Sequence, residues 1–260
     1  MTPIDHKKTT EIARILHSCK SIFFITGAGM SADSGLPTYR GIGGLYNSGL
    51  TDEGVPIEDA LSGEMMEARP DIAWKYIARI EESCRGARFN RGHEVIAEMQ
   101  QAFDRVTVLT QNIDGFHRDA GSADIIDIHG DLHDLVCTAC ARKDTVPDFG
   151  GLAIPPECHD CGALVRPEVV LFGETLDPDK CDRIAAAWKE QYDIVFSIGT
   201  TSVFPYIAQP VMYANYHGIP TVEINPGDTQ VSGQVDFRIR AGAVETLDLL
   251  WNEYRNGQPA

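Results

Sequence analysis

Two groups of residues in this 260-residue chain have types and spacings that could do chemistry. The first is cysteine. Cys137-x-x-Cys140, a gap of 17 residues, and Cys158-x-x-Cys161 offer four thiolates as two local pairs, which suits one tetrahedral zinc ion. Four sulfur ligands leave no position open for water, so such a site is structural and would hold together an insert with little core-forming sequence of its own. His133 and His159 lie close by, but four cysteines already saturate zinc. The second group is a row of polar residues placed where apolar runs stop. Gly27, Ala28, Gly29 and Ser31 follow Ser21–Thr26, and Gln111-Asn112-Ile113-Asp114 follows Arg105–Thr110. His129 follows Asp124–Ile128, Gly199-Thr200-Thr201 follows Asp193–Ile198, and Asn225-Pro226-Gly227 follows Thr221–Ile224. Small residues at a strand end let backbone N–H groups approach a pyrophosphate. A histidine, His129, stands among these polar strand ends.

The elements that must position these residues can be read from the same runs. Each is short, apolar and rich in β-branched or aromatic residues, as buried strands are. Helical periodicity separates them: Ile12, Ile15 and Leu16 in an opening helix, then Pro56–Met66, Pro70–Ser83, Asn90–Phe103, Asp179–Gln191, residues 206–217 and a closing helix over Gly242–Tyr254. A further run, Glu168–Phe172, ends in Gly173-Glu174. Alternation of this kind predicts an α/β fold with a doubly wound parallel sheet, whose ligand crevice lies outside the carboxyl ends of the strands. One feature departs from an ordinary dinucleotide site. Pro37, Arg40, Gly41, Gly43 and Gly44 stand where a crossover helix would run, and they predict a loop that closes over the ligand.

Composition narrows the partners. An apolar fraction of 43% supports a real core, and a net charge of −16 opposes binding to nucleic acid or to anionic membranes. The same charge suits a basic partner such as a lysine-bearing peptide. No apolar stretch approaches the ~20 residues of a membrane span, and the charged N-terminal segment lacks the apolar core of an export signal. Seven cysteines, an odd number with Cys19, Cys84 and Cys181 outside the pairs, fit a reducing compartment, and the cytoplasm is the expected location. The sequence does not specify an oligomeric state.

Taken in order, GAGMSADSGLPTYR, TQNIDGFH, DIHG, the cysteine pairs, RPEVVLFGE, GTTSVFP and INPG resemble the sirtuins, NAD-dependent protein lysine deacylases, over roughly residues 20–245. The resemblance implies a Rossmann-like NAD domain (1–40, 91–131 and 168–260), a cofactor-loop and helical insert (41–90), and a zinc-binding module (132–167). It implies NAD as co-substrate, one structural zinc and acyl-lysine proteins or peptides as partners. In that chemistry nicotinamide leaves, the acyl oxygen attacks the ribose, and a histidine activates a ribose hydroxyl; the products are free lysine and O-acyl-ADP-ribose. The histidine would be His129. Asn112 and Asp114 would hold the nicotinamide amide and its ribose, with Gln111 orienting the sugar. Gly27, Ala28, Gly29, Ser31, Tyr39 and Arg40 would surround the phosphates and the nicotinamide pocket, with Ile113 beside them. Gly199, Thr200, Thr201, Asn225, Pro226, Gly227 and Ala243 would meet the adenosine half. Val170, Phe172, Gly173, Glu174 and Val203 would clasp an extended substrate peptide. Rival readings are a mono-ADP-ribosyltransferase or NAD hydrolase on the same fold, and a non-catalytic NAD-binding or zinc-ribbon module. His129 and Val169–Glu174 favour the deacylase.

The acyl group is the finest question. Thr38 stands where the common deacetylase pattern has an acidic residue, and with Gly43-Gly44-Leu45-Tyr46 it resembles the desuccinylase-type branch. That branch reads an acidic acyl group through a Tyr and an Arg spaced i, i+3 on a helix. Tyr76 and Arg79 offer this spacing, on one helix face, given a one-residue gap after Trp74. Without that gap Ile77 and Ile80 take the two positions and the pocket is apolar.

Overall fold

The run Ser21–Thr26 places apolar residues on both its faces. In the computed structural model, which describes residues 4–38 and 50–257, that run is the centre of a sheet buried on both sides. Ile22 and Phe24 of β1 (Ser21–Thr26) pack into one core, and Phe23 and Ile25 into another. The other strands of this sheet are β2 (Arg105–Thr110), β3 (Ile125–Asp127), β7 (Ile194–Ile198), β8 (Thr221–Ile224) and β9 (Phe237–Ile239). All pair in parallel, in the order β3-β2-β1-β7-β8-β9. The chain winds outward from β1 in one direction and then, starting with β7, in the other. The switch point therefore lies between the ends of β1 and β7, where α/β sheets open a ligand crevice. Helices α1 (His6–Leu16), α5 (Arg91–Ala102) and α9 (Ala243–Asn256) cover one face; α7 (Pro178–Lys189) and α8 (Pro205–Tyr216) cover the other.

A second lobe carries its own three-stranded antiparallel sheet, with β4 (Gly130–Cys137) between β5 (Lys143–Thr145) and β6 (Val165–Val169). Its core joins this sheet to α2 (Ile57–Ala60), α3 (Gly63–Ala68) and α4 (Pro70–Cys84). Trp74 of α4 is fully buried there, donates to the Val165 carbonyl at 3.0 Å and meets Phe149 edge-on at 5.4 Å. The stretch around Phe149, expected to have little core-forming power, thus supplies a central side chain. A short α6 (Phe116–Asp119) follows the β2 end.

Three elements differ from expectation. The single helix over Pro56–Met66 is broken, because the Ser62 hydroxyl accepts from the Met65 amide and starts α3 afresh. The run Glu168–Phe172 overlaps only the end of β6, and Phe172 instead exchanges backbone bonds with the α2–α3 connection, donating to Leu61 and accepting from Gly63. β4 is an unanticipated strand whose register shifts between Asp131 and Leu135, which breaks its alternation. Gly130 starts it with φ +81°, and a Cβ there would stand 1.8 Å from the Glu168 carbonyl oxygen. Only glycine fits. Tyr39, Arg40 and Gly43-Gly44-Leu45-Tyr46 lie outside the described residues. Among the described residues, no helix is long and apolar enough to cross a membrane.

Candidate active site and metal centre

The strand ends converge because each continues the ladder of its neighbour. Gly27 donates to Ile198, Gly199 to Ile224, Asn225 to Ile239 and Gln111 to Thr26, at 3.0–3.1 Å. The closest approach is between Gly29 and Gly199, whose backbones bond at 2.8 Å. A Cβ on Gly29 would lie 2.6 Å from the Gly199 Cα, and one on Gly199 would lie 2.4 Å from the Met30 nitrogen. Gly199 also has φ +61°. The floor of the switch point is thus bare backbone, the surface a pyrophosphate needs.

Around this floor the polar side chains fix one another. Asn112, nearly buried, donates from Nδ2 to the Gly27 carbonyl at 3.1 Å and to Ser31 Oγ at 3.2 Å. Ser31 in turn donates to Asp114 at 2.6 Å, and Asp114 also accepts from the Phe116 amide at 3.1 Å. Desolvation raises the Asp114 carboxyl above the ordinary carboxylate range, against the pull of these two donors. Gln111 donates to Thr200 Oγ1 at 2.8 Å, and Asn225 to the Thr200 carbonyl at 3.0 Å. The Asn225 Oδ1 accepts from Gly227 at 3.0 Å, closing a turn over Pro226. The Ile113 carbonyl accepts from Leu132 at 2.9 Å, tying this row to β4. Ala243 is buried as the first residue of α9. Ala28, Ser31 and Asn112–Asp114 line a cleft of about 710 Å³ with Glu81 and Cys84 of α4, Arg85 just beyond it, and His133 and Val146 of the second lobe.

His129 lies at the end of β3, outside that cleft's lining. Its Nδ1 is 3.0 Å from the Gln111 carbonyl oxygen and its Nε2 is 2.8 Å from the Tyr206 hydroxyl. A carbonyl cannot donate, so Nδ1 carries the proton and the neutral ring keeps its lone pair on Nε2. Burial, with the nearby Lys180 ammonium, lowers the His129 pKa below its ordinary value. The ring is thus an unprotonated base at neutral pH. Behind it, Thr26 shares a hydrogen bond with His117 Nε2 at 3.0 Å, and the rings of His117 and His93 stand 4.8 Å apart. The reading of the sequence did not single out these two buried histidines, although His117 closes the TQNIDGFH stretch.

The four cysteines form the one metal-type cluster found among the described residues, with ligand atoms all within 4.8 Å of one another. Cys137 and Cys161 sulfurs are 3.5 Å apart and those of Cys140 and Cys158 3.7 Å. A tetrahedron with Zn–S near ~2.3 Å has edges of roughly 3.8 Å, whereas a disulfide needs ~2.05 Å. Cys137 Sγ also accepts from the Ala139 and Cys140 amides, at 3.4 and 3.5 Å, donors that favour a thiolate. The residues fit one zinc ion.

Other expected site residues lie elsewhere. Tyr76 and Arg79 are engaged by carboxylates of the preceding segment: Tyr76 donates to Glu53 and accepts from the Asp52 amide at 2.9 Å, and Arg79 pairs with Asp52 at 2.8 Å. At ~100° per helical residue, they lie roughly 140° and 160° round α4 from Glu81, which lines the cleft. Ile77 and Ile80 lie only about 40° and 100° away. Neither Tyr76 nor Arg79 is among the residues lining the cleft, and neither are Ile77 and Ile80. Glu174 is held by Arg166 at 2.5 and 2.9 Å and accepts from the Leu171 amide at 2.8 Å, which makes it a brace for the loop. Gly173, with φ +81°, and Val203 are both exposed, and Val170 donates to the His129 carbonyl at 2.9 Å.

The Sir2 family model matches residues 27–205. A relative from Pseudomonas aeruginosa, called NAD-dependent protein deacylase 2, is 45% identical over 250 residues, spanning 93% of this chain and 95% of its own length. A Sir2 homologue solved with NAD superposes with a TM-score of 0.82 at 32% identity, over 95% of this chain and 93% of that one. A Sir2 solved with a deacetylated p53 peptide and 3′-O-acetyl ADP-ribose also has a TM-score of 0.82, at 25% identity, over 94% and 98% of the two chains.

Proposed function

This chain belongs to the Sir2 family, and from that premise we propose that it is an NAD-dependent protein deacylase acting on acetyl-lysine or similarly apolar acyl-lysine side chains. The observation that carries the proposal is His129. Its Nδ1 is committed to Gln111, its Nε2 keeps a lone pair that the Tyr206 hydroxyl meets at 2.8 Å, and it stands in the same row of strand ends as Gln111, Asn112 and Asp114. When bound, NAD supplies the ribose carbon that accepts the acyl oxygen and the ribose hydroxyl that is then activated. Asn112 and Asp114 position the nicotinamide end, the Gly27–Gly29 and Gly199 backbones take the pyrophosphate, and Thr200, Thr201, Asn225–Gly227 and Ala243 face the adenosine. Tyr39 and Arg40 complete the phosphate side on the grounds of sequence alone. His129 removes the hydroxyl proton. Val170, Phe172, Gly173 and Val203 receive the peptide as an added strand.

Two observations favour an apolar acyl group over succinyl. Arg79 already pairs with Asp52 through one guanidinium nitrogen, and Ile77 and Ile80 lie nearer round α4 than Tyr76 and Arg79 to Glu81, which lines the cleft. The test is incubation with NAD and a panel of acetyl-, succinyl- and long-chain acyl-lysine peptides, with mass spectrometry of peptide and nucleotide products. Acetyl or longer apolar groups should turn over at least tenfold faster than succinyl. Faster succinyl turnover would reverse the acyl assignment, and nicotinamide release without peptide turnover would replace deacylation by NAD hydrolysis.

A further inference from the structure

We propose that Tyr206 is a second catalytic residue, whose hydroxyl relays the ribose proton to His129. The inference rests on the deacylase reading with His129 as base. Because Nδ1 donates to Gln111, the ring has one basic site, and Tyr206 Oη already occupies it at 2.8 Å. A single lone pair accepts one hydrogen bond. A ribose hydroxyl can therefore reach the base only through the phenol or after pushing it aside.

The packing favours passage through it. Tyr206 sits in the first turn of α8, and the Phe204 carbonyl before it accepts from Ile207 and Ala208, both at 3.0 Å, so the backbone is fixed. The Tyr206 ring stacks on Phe204 with planes 12° apart and centroids at 5.4 Å. Both rings stand edge-on to the imidazole, at 90° and 80°. Moving the phenol would cost the stack and the hydrogen bond together. Burial pushes the Tyr206 hydroxyl up to about 12, so it remains a protonated donor at neutral pH. Its oxygen still has lone pairs to accept a second hydroxyl.

The step balances without another reactant. Tyr206 Oη takes the proton of the ribose hydroxyl as its own proton passes to His129 Nε2. The phenol is regenerated and the imidazole becomes imidazolium. The electron pair freed on the ribose oxygen forms the bond to the acyl carbon, and the π pair of that carbon moves to the lysine nitrogen.

Tyr206→Phe removes the hydroxyl and keeps the ring stack. With an acetyl-lysine peptide, kcat should fall roughly 10²-fold, the lower end for losing a positioned proton-transfer group. NAD affinity and exchange of labelled nicotinamide into NAD, which precede the need for a base, should stay within about twofold. In the free protein, the His129 Nε2 resonance in a ¹⁵N-histidine spectrum should move toward that of an unbonded imidazole nitrogen. Unchanged or faster deacylation would overturn the relay and leave Tyr206 as a cover over the base. Joint loss of NAD affinity, exchange and deacylation would also overturn it, in favour of a structural role. If instead His129→Ala keeps deacylation, the base assignment itself falls and the relay with it.

Discussion

Lowering the pH should destabilise this protein through His93, and the size of the effect follows from its burial. His93 has no exposed surface, and its Nε2 has no partner among the described residues. Burial lowers its pKa from 6.5 to about 4. The unfolded chain therefore binds the proton more tightly, so stability is full above the unfolded value and is lost as pH falls from 6.5 toward 4. At about 1.4 kcal/mol per pH unit, the loss from pH 7.5 to pH 5 comes to about 2 kcal/mol for His93 alone. For a chain of this size that is roughly 4–8 °C in Tm. His117 is depressed well below its ordinary value by burial and by His93 beside it, and it adds to the loss in the same direction. The assay compares urea or thermal unfolding of the wild type and His93→Gln at the two pH values. Gln retains an acceptor for the Asn90 amide, which bonds His93 Nδ1 at 3.2 Å, but does not titrate. Carboxylates and zinc thiolates are common to both proteins, so the variant should lose about 2 kcal/mol less than the wild type over this interval. Equal losses would refute the argument.

His129→Ala should lower deacylation roughly 10²–10⁴-fold while NAD binding by calorimetry stays measurable; full activity in the folded variant would contradict the base assignment. Because burial holds the His129 pKa below 6.5, the acid limb of kcat/KM should fall below that pH, and a limb above it would oppose the assignment. Metal analysis should find one zinc per chain, and chelation should collapse the second lobe and remove activity with it; active protein with under half an equivalent would count against the site. Arg79→Met should change acetyl-lysine turnover less than twofold, whereas Ile77→Arg should lower it at least tenfold; the opposite ranking would restore the Tyr76–Arg79 pocket.

What the sequence disclosed was what local spacing and composition encode. The cysteine pairs could be matched to a metal because each C-x-x-C is complete within four residues. The five polar strand ends could be lined up because each follows an apolar run long enough to identify on its own. Long-range partners stayed hidden. Nothing near Tyr76 in sequence announces that Asp52 and Glu53 will occupy it and its neighbours, and nothing near His129 announces a phenol 77 residues downstream. β4 escaped because its register shift destroys the period by which a strand is recognised. Phe149 escaped because one aromatic in a glycine- and proline-rich stretch has no periodicity at all.

The shortness of the path between the two sheets has a mechanical consequence. β3 ends at Asp127 in the large sheet and β4 begins at Gly130 in the small one, with His129 between them. Gly130 is pinned against Glu168, so the connection has almost no slack on the side of the second lobe. His129 therefore sits in one of the short connections between the two sheets as well as being the candidate base. Any displacement of Gly130 with the second lobe would pass directly to its neighbour His129, whose Nε2 must be aimed to do its work. Substitutions in the zinc-bearing lobe, far from any bound molecule, would then register first as a misdirected imidazole, changing turnover before they change binding.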